Sequence, residues 1–125
     1  MIMIRSTIKP STKRKSSVSP AQRSLKKLRD EGYTMAVVEH WNPFAHIRQD
    51  LFGFIDLLGM VDGLDGLLGI QTTSSTNFSA RMKKSKAIPA LKMWLHSGNR
   101  FAVHGWKKTA KGWECKEVYV KEEEL

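Results

Sequence analysis

The stretch LFGFIDLLGMVDGLDGLLGIQTTS, residues 51–74, decides how this chain folds. Two apolar runs flank VDGLDG, whose two Asp-Gly pairs are turn signals of the kind that close β-hairpins. LFGFIDLLGM and LLGIQTT therefore read as paired antiparallel strands. Yet Asp56 sits in the middle of the first run, and the second turns polar at Gln71. A buried, unpaired carboxylate is costly or takes up a proton. A cation or a hydrogen bond must compensate it, and which one it is decides the chemistry.

Register follows from the turn. A hairpin centred between Gly63 and Leu64 sets Asp56 opposite Gln71, with Cβ atoms about 4.5–5.5 Å apart. Thr73, two residues on, shares the face of Gln71. Upstream, YTMAVVEHW (33–41) is β-rich, and Asn42 and Pro43 break it. A loop through NPFAHIRQD (42–50) leads into the next strand. A connection centred between Ile47 and Arg48 sets Glu39 against Asp56. Glu39, Asp56, Gln71 and Thr73 then converge on one face of three strands, provided that no one-residue bulge shifts a ladder.

The flanking segments read as helices and a second hairpin. In SPAQRSLKKLRDEGY (19–33), Ser19 caps, Pro20 fits the first helical position and Gln22 completes a capping box; Gly32 ends the helix. Asn77 can cap a second helical region, which Pro89 splits into a basic piece, FSARMKKSK, and an amphipathic piece, IPALKMWLHSG. RFAVHGWKK and WECKEVYVK form strands around the turn TAKG. The order is α-β-β-β-α-β-β, an α/β fold with a central mixed sheet flanked by helices. Residues 1–18 read as a flexible basic arm carrying Lys13, Arg14 and Lys15. Residues 19–121 form the single domain, and 122–125 a solvated acidic tail.

A net charge of +9 and a pI near 9.9 favour an anionic partner, nucleic acid before an acidic membrane surface. Cys115 is the sole cysteine, so no internal disulfide forms and a zinc cluster is disfavoured. A reducing cytoplasm is expected. Residues 51–70 are long enough for a membrane span, but Asp56, Asp62, Asp65 and five glycines oppose insertion. The N-terminus has no apolar signal core. The scattered histidines, with no Ser-His-Asp context, outline no acyl-transfer site. Trp94 and Trp106 read as core. Arg81, Lys83, Lys84 and Lys86 crowd one short helix and suit phosphate, and Lys107, Lys108 and Lys111 beside Trp106 form a second basic group.

Two carboxylates and an amide oxygen make a site for a hard cation such as Mg²⁺ or Mn²⁺, which takes oxygen ligands and activates water beside a phosphate. The alternative is that Asp56 only caps a turn or accepts hydrogen bonds from Arg48 or the backbone. Arg48 itself either touches a phosphate or pairs with Asp50 or Asp56.

The order of elements and several segments resemble the PD-(D/E)XK nuclease superfamily, in particular its Holliday-junction-resolvase-like phage and bacterial group. The carriers are AQRSLKKLRDEGYTMAVVE, RQDLFGFID with FIDLLGM, and LLGIQTTS, within residues 19–106. The resemblance implies a restriction-endonuclease-like α-β-β-β-α-β core and metal-dependent hydrolysis of DNA, including branched DNA. Asp56 matches the family's central metal ligand. Gln71 stands where Glu, Asp or Gln is found, and Thr73 where the family carries its lysine. A threonine supplies no cation. On this reading Glu39 replaces a missing carboxylate, and Arg81, Lys83 or Lys84 replaces the missing lysine. DNA is the expected partner, no membrane is involved, and a homodimer would suit a junction with two strands to cut. The second reading is a nuclease-like fold without catalysis that binds nucleic acid or assembles with another protein.

Overall fold

The computed structural model describes residues 18–125. The arm bearing Lys13, Arg14 and Lys15 lies outside them. The first helix, α1 (Pro20–Asp30), starts as its residues dictate. Ser19 Oγ accepts the Gln22 N–H at 3.2 Å, and Gln22 Oε1 accepts the Ser19 N–H at 3.1 Å. Leu28 is buried beneath it, and Gly32, at φ 98°, lets the chain leave.

The strands β1 (Thr34–Val37), β4 (Leu57–Met60), β5 (Leu68–Ser74), β6 (Arg100–Thr109) and β7 (Gly112–Tyr119) form a five-stranded mixed sheet in the order β1-β4-β5-β6-β7. Only the β5–β6 pair is parallel. Its crossover consists of α2 (Phe78–Lys86) and α3 (Pro89–His96), separated at Pro89 as expected. Alternation along the strands builds two cores. Leu57, Leu68, Ile70 and Ala102 pack with Leu28 of α1 on one face. Phe101 and Val103 join Phe54, Ile55, Phe78 and Leu91 on the other. There the Phe54 and Phe101 rings meet edge to face at 5.3 Å, a contact worth about 0.5–1.5 kcal/mol beyond area burial.

Three expectations need correction. First, LFGFI is not strand. It is a tight loop in which Leu51 N–H donates to Ile55 O at 2.8 Å, with Gly53 at φ 86° and Phe52 at φ 57°. Gly53 lets the chain reverse where most side chains would be strained. The run is apolar because Phe54 and Ile55 fill the core, a demand that a buried loop and a buried strand share.

Second, NPFAHIRQD is no simple loop. Strands β2 (His40–Asn42) and β3 (Ile47–Gln49) pair as a hairpin separate from the main sheet. Asn42 Oδ1 accepts the N–H groups of Phe44 and Ala45 and so closes its turn.

Third, the terminal acidic residues are folded back, although Glu123 and Glu124 stay exposed. Glu122–Glu124 form a 3₁₀ turn in which Glu124 pairs with Lys86 at 3.0 Å and Glu122 with His96 at 2.9 Å.

The registers are instructive. Leu57 pairs with Ile70 and Leu58 with Gly69, as a turn centred between Gly63 and Leu64 requires. In the other pairing Val37 meets Leu57, one residue away from the expected ladder. The slip is repaired at once. Val38 and Glu39 both donate their N–H groups to Asp56 O, at 2.9 and 3.2 Å. Two residues thus oppose one, which is a β-bulge, and it returns Glu39 to the side of Asp56.

Candidate metal centre

The bulge and the loop deliver three carboxylates to one place. Glu39 comes from the bulge, Asp50 from the end of the β2–β3 hairpin, and Asp56 from the start of β4. An oxygen from each lies within 4.8 Å of the others. They lie at a cleft of about 560 Å³, also lined by the first turn of α1 (Ser19, Pro20, Ala21) and by Arg48, Thr72, Arg81 and Lys84. The start of α1, the end of a helix that favours negative charge, faces this wall.

Asp56 is 6 % exposed. Its Oδ2 accepts the Thr72 N–H at 2.8 Å and the Thr72 hydroxyl at 3.1 Å. These bonds do not keep it acidic. Burial, then a hydrogen bond with Asp50, push its pKa up to about 8, against the lowering effect of the Thr72 N–H; the charges of Asp50 and Glu39 raise it further. Among the described residues, none of the three acids makes an ion pair. The cations stand at the rim and the acids at the floor.

Of the residues singled out by sequence, Asp56 and Glu39 meet as expected. Gln71 is buried next to them with its amide turned. Nε2 donates to Asp50 Oδ2 at 3.2 Å, and Oε1 receives Arg81 Nη1 at 3.4 Å. It steadies Asp50 and does not add an oxygen to the acids. Thr73 is buried opposite Gly105 of β6, and its neighbour Thr72 is the one that meets Asp56.

On α2, Arg81 and Lys84, three residues apart, share the face toward the cleft. Lys83 is exposed on another side, and Lys86 is taken by Glu124. Arg48 lines the cleft and, among the described residues, makes no ion pair. Lys107, Lys108 and Lys111 are exposed at the β6–β7 hairpin. Sequence reasoning missed Asp50. The available signal was the glycine in DLFGFID: a turn there brings two aspartates six residues apart to one spot, which a strand cannot do.

A second buried polar group lies beneath α1. His104 Nδ1 lies 2.7 Å from Ser24 Oγ and Nε2 lies 2.7 Å from Glu117 Oε2, while Trp106 Nε1 donates to Ser24 Oγ at 2.9 Å. The hydroxyl accepts from the indole, so it donates its own proton to Nδ1. The imidazole proton is therefore on Nε2, donated to Glu117. Burial lowers the His104 pKa, with Glu117 opposing, so the ring is neutral near pH 7. Trp106 is core, as its sequence context indicates. Burial pushes the Cys115 thiol up to about 11, which keeps it protonated near pH 7.

No family model, curated protein or solved structure matches this chain. Among the described residues no helix is long and apolar enough to cross a membrane.

Proposed function

We propose that this chain is a metal-dependent nuclease of the restriction-endonuclease-like type, acting on DNA phosphodiester bonds. With the β2–β3 hairpin set aside as an insertion and α2 and α3 counted as one helix broken at Pro89, the order α1-β1-β4-β5-α2/α3-β6 fits the α-β-β-β-α-β core that the sequence resembles. The observation that carries the reading is the convergence of Glu39, Asp50 and Asp56 beneath Arg48, Arg81 and Lys84. Three carboxylates this close repel, and burial, the hydrogen bond with Asp50 and that repulsion together raise the Asp56 pKa to about 8. A divalent cation removes that repulsion and suits an all-oxygen set. The donor set therefore fits Mg²⁺ or Mn²⁺.

Glu39, Asp50 and Asp56 would hold the ion, and its chemistry would be to lower the pKa of water and offset charge on a phosphate. The chain's own residues do the rest. Thr72 fixes the orientation of Asp56, and Gln71 that of Asp50. Arg81 and Lys84 hold the phosphate and stand in for the cation that Thr73 cannot provide; Arg48 holds the backbone on the other wall. If the substrate is a junction, cutting both strands requires two copies of the chain.

The second reading, a silent fold that only binds nucleic acid, is favoured by one observation. No lysine of β5 reaches the acids, and Arg81 is engaged with Gln71. Incubation with linear and branched DNA in Mg²⁺ or in EDTA separates the two. The enzyme cuts only with Mg²⁺, and Mn²⁺ crystals show anomalous density between Glu39, Asp50 and Asp56. Binding without cutting at any divalent ion rejects the enzyme and leaves the scaffold.

A further inference from the structure

The β2–β3 hairpin leaves the site at Glu39 and returns to it at Arg48–Asp50. It pairs with no other strand. Its large apolar side chains are nevertheless half exposed or more. Phe44, at the tip, is 95 % exposed, Trp41 52 % and Ile47 50 %. Isolated exposed hydrophobes are common; three on the ten residues of one projecting hairpin are not.

The tip is built to hold its shape. Pro43 restricts the backbone, Asn42 Oδ1 ties down the next two free N–H groups, and His46 adopts φ 56° with its ring edge against Trp41 at 6.2 Å. A rigid aromatic surface costs little entropy when it binds.

Register shows which way it faces. Trp41 pairs directly with Arg48, so the two side chains lie on the same face of the hairpin. Arg48 also lines the acidic cleft. The aromatic face is therefore continuous with the rim of cations that would hold a phosphate.

We propose that this hairpin stacks unpaired nucleobases, with Trp41 and Phe44 as platforms, and so directs the cleft to DNA with a single-stranded gap or fork. The inference rests on the nuclease reading and deepens it by naming the substrate class. A π-face accepts any base, so the preference is for unpaired structure and not for sequence. Duplex DNA keeps its bases stacked on one another and offers the platforms nothing. A protein partner would fit the apolar tip, but not its position at the edge of a cationic cleft on a chain of charge +9.

The test uses the full chain with Ca²⁺ in place of Mg²⁺, and DNA duplexes that are intact or carry a short gap with 2-aminopurine. Wild type should bind gapped DNA about tenfold more tightly than duplex, on the scale of one stacked base, and change the 2-aminopurine fluorescence. A Trp41→Ala/Phe44→Ala variant should bind gapped DNA no better than duplex, with an unchanged circular dichroism melt. If that variant keeps the preference, or if wild type binds duplex and gapped DNA equally, the stacking role is wrong while the nuclease reading stands. If neither DNA is bound, both fall. If wild type is a dimer by sedimentation, the variant is a monomer and the gap preference is untouched, the hairpin is a protein interface and the proposal is overturned.

Discussion

Two buried polar groups occupy the same small sheet and behave in opposite ways. Under α1, Ser24, His104, Trp106 and Glu117 match donor to acceptor along the whole chain of hydrogen bonds. At the cleft, Glu39, Asp50 and Asp56 bring three carboxylates to one spot, and among the described residues Thr72 and Gln71 are the neighbours that donate to them. A satisfied network holds a structure together; a surplus of like charge asks for a partner. The two are joined through α1. Ser24 anchors that helix against β6, and the helix's first turn forms a wall of the cleft.

The largest expected effect tests the cleft. Asp56→Ala and Asp50→Ala should each lower Mg²⁺-dependent cutting by more than about 100-fold, on the scale of losing a preorganised electrostatic group, and keep DNA binding by gel shift. If Asp50→Ala cuts normally, the cluster is not the working set. Thr73→Val should leave cutting within about twofold, since Thr73 does not meet Asp56.

The satisfied network should fail as structure. Ser24→Ala strands the Trp106 N–H and His104 Nδ1 and should cost about 2–3 kcal/mol in urea unfolding. Asp56→Asn relieves repulsion and should cost far less in metal-free protein. If Ser24→Ala is neutral and Asp56→Asn severe, the contrast between the two groups is inverted.

The pH responses should also run in opposite directions. Asp56 is raised from 3.8 to about 8 by burial and Asp50, so the folded protein binds the extra proton. Stability from this group is complete below about pH 4 and is lost as pH climbs toward 8. Asp56→Asn should flatten that part of the metal-free Tm profile. Mg²⁺ binding should release a proton below pH 8, visible in calorimetry as a dependence on buffer ionisation heat. His104 is lowered by burial, so its contribution is present above its ordinary 6.5 and is lost as pH falls below it. His104→Gln should remove that acid-side dependence.

The smallest effects separate the cations. Arg81→Ala with Lys84→Ala should weaken duplex binding several-fold and reduce its salt slope by about 2. Lys86→Ala, which loses only the half-exposed pair with Glu124, should change stability by less than about 1 kcal/mol and leave cutting unchanged.

Local signals carried far in this chain. The capping box at Ser19, the break at Pro89 and the hairpin about VDGLDG depend on neighbours close in sequence, and the spacing of Asp56 and Gln71 followed from that turn. Glu39 reached Asp56 through a bulge that alternation could not reveal, since one extra residue leaves the composition of a strand unchanged. Asp50 was hidden because a buried loop and a buried strand select the same apolar residues.

What the sequence determined alone was the coarse α/β class, the basic charge and the β4–β5 register, because periodicity and turn chemistry are written over a few residues each. Which carboxylates meet, which threonine serves Asp56 and which face of α2 looks into the cleft were decided only by tertiary structure. Those depend on a bulge, a tight loop and a helix rotation, each set by packing against residues distant along the chain.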